Sequence, residues 1–186
     1  MSRTVGILLA GGLSSRFGSP KAFAEIDGRL FYEQVYEALA AACDQVVIVA
    51  RPELIARFPA GLDVIADLSE LAGKGPLAGI CSAMEERPAD CYLVLPCDMP
   101  FVGPKETQAL VQLSLQADVT AVQTAGEKIP LFSVWHGNWS RELKKFIDLG
   151  NLSVFAFLET IHTEWAASSL IHEDPAVFQN INTCIK

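Results

Sequence analysis

An α/β fold with a mostly parallel sheet and helices on both faces is predicted by three features of this chain. Short, wholly apolar runs rich in valine and isoleucine alternate with segments whose apolar residues recur at helical spacing. Two of the runs end next to residues suited to a ligand loop, Gly11 after residues 5–10 and Asp98 after residues 92–95. No repeat, low-complexity tract or Pro/Gly/Ser linker interrupts the 186 residues, so a single domain spanning 1–186 is expected.

Each element can be justified in chain order. Residues 5–10 (Val-Gly-Ile-Leu-Leu-Ala) form a continuous apolar run, the pattern of a strand buried on both faces. Leu30, Phe31, Val35 and Leu39 then mark a helix. Residues 46–49 and 64–67 read as a second and a short third strand, the latter ending in Asp67. A helix over 77–84 follows a Gly-Pro loop, and residues 92–95 form a further strand that runs into Pro96-Cys-Asp-Met-Pro100. Residues 107–115 are predicted helical, 119–122 and 131–134 extended, and 139–149 and 154–160 helical. The alternation predicts a Rossmann-like three-layer arrangement, in which ligands sit beyond the carboxyl ends of the strands.

Composition narrows the function. Hydrophobic residues make up 51% of the chain and charged residues 19%, a globular balance. No apolar run approaches the roughly 20 residues needed to cross a bilayer, and residues 5–10 are too short for a signal peptide, so no membrane role is expected and the location expected is cytoplasmic. The five cysteines lack Cys-x-x-Cys spacing and read as reduced packing residues. A net charge of −8 and a pI near 4.8 argue against a nucleic-acid surface. A small polyanion is still a suitable ligand where a few cations and a metal gather in one cleft.

The loop after the first strand has that character. Gly11 and Gly12 allow a sharp turn and close approach of backbone N–H groups to a ligand, and Arg16 and Lys21 add cations within the same stretch. Ser19 and Pro20 separate Gly18 from Lys21, so the loop is not a Walker motif, and its glycines do not fit the dinucleotide spacing Gly-x-Gly-x-x-Gly. Asp98, just past a buried strand, is a carboxylate suited to Mg²⁺ if a triphosphate supplies further oxygens; the alternative is a cap for the following turn. Asp67 reads either as a ligand contact or as a turn residue, and Gly75-Pro-Leu-Ala-Gly79 either as a close backbone approach or as a structural turn. In a strand, Asn180 and Asn182 would point to one side; they are either a polar strand face or part of a site.

Taken together, Leu9-Ala-Gly-Gly-x-Ser-x-Arg-Phe-Gly-x-x-Lys21, Gly75-Pro-Leu-Ala-Gly79, Cys97-Asp-x-Pro100 and Asn180-x-Asn-Thr183 resemble the molybdenum cofactor guanylyltransferases, the MobA family of the nucleotidyltransferase superfamily. The resemblance spans nearly the whole chain and is strongest up to Pro100 and at 180–183. It implies that Leu9, Ala10, Gly11, Gly12, Asp67 and Gly79 hold the nucleotide, that Arg16 and Lys21 neutralise its phosphates, and that Asp98 carries the metal. It also implies that Asn180 and Asn182 serve the acceptor, with residues to about 100 binding nucleotide and 101–186 binding the acceptor. The expected partners are GTP, molybdenum-bound molybdopterin and, transiently, proteins that make or receive the cofactor. Cytidylyl- and sugar-phosphate transferases of the same fold, and a non-catalytic nucleotide-binding adaptor, are the competing readings. Two stretches depart from the family pattern: Lys128-Ile-Pro-Leu131 has no histidine before its proline, and Gly150 is followed by Asn151 and Leu152 in place of a basic residue.

Overall fold

The computed structural model describes residues 2–12, 20–114 and 116–182. The first strand, β1 (Thr4–Leu9), lies inside a seven-stranded sheet and has every residue from Val5 to Leu8 buried. A short hairpin of β2 (Glu25–Ile26) and β3 (Arg29–Leu30) leads into helix α1 (Phe31–Ala40), which is followed by β4 (Gln45–Val49). The hairpin turn places Asp27 and Gly28 at φ 52 and 75, a region that glycine and, less readily, aspartate tolerate. After β4 come the single turn α2 (Pro52–Ile55), β5 (Asp63–Ile65), helix α3 (Pro76–Glu86) and β6 (Cys91–Pro96). The second half contributes α4 (Pro104–Leu113), β7 (Val119–Gln123), β8 (Lys128–His136), α5 (Ser140–Asp148), α6 (Val154–Leu158) and β9 (Thr163–Ala167).

The strand order is β5-β4-β1-β6-β8-β7-β9. β8 runs antiparallel to its neighbours β6 and β7, while the other adjacent pairs are parallel. The sheet is therefore mostly parallel, as expected. Alternate residues of each strand feed two cores. Leu8, Ile48, Leu93, Leu95 and Val134 face α1 and α4, whereas Val5, Ile7, Val47, Val94 and Trp135 face α3, α5 and α6. Full burial of each such large side chain stabilises the fold by about 1.5–3 kcal/mol, which is why the strands read as unbroken apolar runs.

Several details differ from the sequence reading, the unanticipated β2–β3 hairpin among them. β5 stops at Ile65, so Asp67 lies two residues beyond the strand, where the chain is free to turn toward α3. β9 adds an unanticipated edge strand. Residues 180–182 join no ladder: the backbone N–H of Ile181 donates to the carbonyl of Asp98 at 2.8 Å, which docks this segment against the end of β6. Cys43, Cys81, Cys91 and Cys97 are free thiols, the last three buried. Among the described residues, no helix is long and apolar enough to cross a membrane.

Candidate active site

β1 is the topological switch of the sheet, since the chain continues to β4 on one side of it and returns to β6 on the other. A crevice opens at the carboxyl ends of such strands, where two loops leave in opposite directions. Two backbone bonds hold the rim: Ala10 N–H donates to the Val49 carbonyl at 2.8 Å, and Cys97 N–H donates to the Leu9 carbonyl at 3.0 Å. Beyond them Gly11 is half-buried and Gly12 exposed. Arg16 and Gly18, both expected in the loop, lie outside the described residues, as does Thr183.

Lys21 opens a 3-10 turn (Lys21–Phe23) that is pinned from below. Ala22 is buried, and the Phe23 ring packs against Phe58 and Tyr32 with centroids 4.8 and 5.6 Å apart. The Arg57 guanidinium covers Phe23 at 4.0 Å. From this anchored turn, Lys21 Nζ donates to Asp98 Oδ2 at 2.9 Å and to Asn182 Oδ1 at 2.7 Å. The Lys21 and Asp98 side chains are 19% and 21% exposed, so the pair is shielded yet reachable from solvent. Asp98 itself follows β6 in a turn closed by its own backbone bonds, Met99 N–H to Pro96 carbonyl and Val102 N–H to Met99 carbonyl, each 3.2 Å. Lys21, Asp98 and Asn182, far apart in sequence, thus meet at one point.

Asp67 and Gly79 meet on the other side of the glycine turn. Gly79 lies in the first turn of α3, and a Cβ there would stand 2.9 Å from Leu9 Cδ2, 3.5 Å from Val49 Cγ1 and 3.7 Å from Asp67 Oδ1. The missing side chain lets the helix approach the ends of β1 and β4, with the Asp67 carboxylate alongside. Burial pushes the Asp67 carboxyl above the usual aspartate range, against a lowering hydrogen bond with the Gly73 backbone. The Cys97 thiol is pushed up to about 12, chiefly by burial and then by the adjacent Asp98 charge. It is a packing residue, as expected, and stays protonated at neutral pH.

The profile of the MobA-like NTP transferase domain matches residues 6–163. The chain belongs to this family. A Geobacillus protein named "Probable molybdenum cofactor guanylyltransferase" is 34% identical over 98% of this chain and 95% of its own length. The crystal structure of molybdopterin-guanine dinucleotide biosynthesis protein A from Archaeoglobus fulgidus superposes with a TM-score of 0.79 at 25% identity, covering 96% of this chain and 92% of that one. At the level of fold alone, a Mycobacterium tuberculosis protein solved in complex with manganese superposes with a TM-score of 0.69 at 15% identity, over 89% of this chain and 88% of that one.

As a MobA-like nucleotidyltransferase, the chain is an enzyme of molybdenum cofactor biosynthesis. The family match ends before Asn180 and Asn182, so the contact of Asn182 with Lys21 is information from the structure itself. One cation at the rim of this crevice was missed by sequence reasoning. Arg51 lies two residues beyond β4; its backbone N stands 3.8 Å from where a Gly11 Cβ would be, and its buried Nε has no hydrogen-bond partner among the described residues. Its Nη1 pairs with Glu53 Oε1 at 3.1 Å. An arginine two residues past a buried parallel strand was the available signal.

Proposed function

We propose that this MobA-like transferase moves GMP from GTP to the phosphate of molybdenum-bound molybdopterin. An oxygen of the acceptor phosphate attacks the α-phosphorus of GTP; the bond from that phosphorus to the bridging oxygen breaks, and pyrophosphate leaves with the electron pair. The observation that carries this reading is the Lys21 ammonium, held between Asp98 and Asn182 at the β1–β6 crevice. A mobile cation there can follow charge as it moves onto the leaving pyrophosphate, while Asn182 brings the second half of the chain to the same point.

Leu9, Ala10, Gly11 and Gly12 line the path of the nucleotide, and Asp67, Gly79 and Arg51 border it. Arg16 of the same loop is assigned to the phosphates on sequence alone. The donors at the crevice fit a hard divalent cation such as Mg²⁺: Asp98 supplies a carboxylate and Asn182 an amide oxygen, and the triphosphate brings the rest. Among the described residues no cluster of three or more His, Cys, Asp or Glu side chains gathers to cage an ion, which suits a metal that arrives with its nucleotide. When bound, the cation supplies charge neutralisation at the phosphates. A phosphate oxygen is already nucleophilic, so positioning is the main task left to the protein.

Pyrophosphate release with GTP, CTP or ATP, each with and without molybdopterin, tests the proposal. Release that requires both GTP and the pterin is expected. Release with CTP moves the chain to a cytidylyl activity, and release with a sugar phosphate as acceptor replaces the pterin.

Asp67 provides a pH signature. Because its carboxyl is raised, it takes up a proton earlier than an ordinary aspartate as pH falls, and neutral Asp67 loses its charge-assisted hydrogen bonds to the nucleotide. The KM for GTP therefore rises on the acidic side, and Asp67→Asn flattens that limb at a uniformly higher KM. Stability moves the opposite way. The folded chain binds this proton more tightly than the unfolded one, so stability falls as pH rises from the ordinary aspartate value through the raised one. Asp67→Asn is accordingly expected to melt slightly higher at neutral pH. Parallel acidic limbs in both proteins would remove Asp67 from the nucleotide site.

A further inference from the structure

The phosphate end of the acceptor is accounted for by the crevice, but its planar heterocycle needs a surface of its own. The sheet continues past β6 through β8 and β7 to β9, and on these strands sits a cluster that the nucleotide site does not use. Lys128, the first residue of β8, places Nζ 4.6 Å from the ring centroid of Trp165 on β9 and 5.3 Å from that of Phe155 on α6. The two rings lie 5.9 Å apart at 37°, both half-buried, with Lys128 exposed above them. β8 runs against its neighbours, so its first residue lies at the rim where β6 and β7 end; Lys128 pairs with Gln123, the last residue of β7. The Trp165 strand is fixed further by Gln123 Nε2 donating to the Trp165 carbonyl at 3.3 Å.

We infer that Trp165, Phe155 and Lys128 form the subsite for the planar ring of the acceptor, a pterin stacked on Trp165 with the Lys128 ammonium donating to its oxo group. The inference rests on the transfer reading above and extends it to the acceptor's far end. Three arguments support it. A half-buried indole face that holds an ammonium is an electron-rich plane, and a flat heterocycle stacks on such a face. Distance fits as well: from β6 to β9 is three inter-strand steps, about 14 Å at the usual spacing, which separates ring from phosphate in a fused tricycle with a phosphate arm. Three other cations of this half are less well placed. Lys144 is tied to Glu70 at 2.7 Å, Arg141 enters α5 beyond the far end of β8, and Lys105 belongs to α4 on the opposite face of the sheet from α6.

The test uses the full chain, with pterin-6-carboxylate titrated against protein fluorescence, acceptor KM from pyrophosphate release, and GTP binding by calorimetry. Trp165→Leu is expected to weaken pterin binding and raise acceptor KM on the order of tenfold, and Trp165→Phe by less. Lys128→Met, at an exposed position that leaves the fold undisturbed, is expected to raise acceptor KM several-fold. GTP affinity stays unchanged in all three. Unaltered pterin binding and acceptor KM in Trp165→Leu and Lys128→Met, with GTP-dependent release intact, would overturn the subsite and spare the transfer reading. Loss of pterin binding in the variants of a chain that releases no pyrophosphate would sink the transfer reading and leave the subsite standing.

Discussion

Asp98→Ala is expected to lower turnover by about a thousandfold or more while leaving the protein folded. A carboxylate that anchors a divalent cation at a triphosphate is responsible for several kcal/mol of transition-state stabilisation, and each 1.36 kcal/mol is about one decade of rate. The structural cost is small, because a partly exposed ion pair contributes about 1 kcal/mol or less. Alanine also keeps the backbone carbonyl that accepts from Ile181, so the 180–182 segment retains its dock. Asp98→Asn isolates the charge: it preserves shape and an oxygen for Lys21, and is expected to be nearly as inactive. Pyrophosphate release beside a thermal melt measures both quantities. A folded Asp98→Ala protein with turnover near that of the parent would refute the metal assignment.

Lys21→Ala is expected to reduce kcat/KM for GTP by roughly a hundred- to a thousandfold, the range for losing one charged donor aimed at developing negative charge. The substitution also leaves Asp98 and Asn182 without the ammonium that joins them. Hydrogen exchange of the amides between 180 and 182 should therefore speed up, since the Asn182 tether is gone and this end of the segment is left to the Ile181 bond, while Phe178 stays packed on Phe132. Lys21→Arg should recover part of the affinity but little of the turnover, because a planar guanidinium cannot take the place of a point charge between two acceptors. Kinetics and exchange indistinguishable from the parent would remove Lys21 from the site.

The parts of this molecule that could be read from sequence are those whose cause is local. β1, β4 and β6 are buried on both faces, so their residues are apolar without interruption, and the loops that follow carry Gly11 and Asp98. β9 was overlooked because Thr-Glu-Trp-Ala-Ala at a sheet edge has neither a continuous apolar run nor clean alternation; its strand character comes from pairing with β7. The β2–β3 hairpin did have a local signal in Asp27-Gly28, but two-residue strands are too short for periodicity to register. Asn180 and Asn182 were expected to share a strand face. They reach the crevice instead through a segment held by Asp98 and Lys21, contacts spanning more than eighty and 161 positions, to which no local pattern is sensitive. The Lys128, Phe155 and Trp165 cluster was hidden for the same reason, being assembled from three separate elements.

The ammonium of Lys21 already answers the charge of Asp98 in the protein by itself. A divalent cation arriving alone must compete with that ammonium, and a triphosphate arriving alone must draw the ammonium from its carboxylate. When the two arrive together, each relieves the cost imposed on the other: the phosphates take Lys21, and the cation takes Asp98. Nucleotide and metal are therefore thermodynamically linked ligands, and by reciprocity each tightens the other by the same factor. In a chain of net charge −8, surrounded by counter-cations, this coupling makes the site selective for the metal–nucleotide complex over either component.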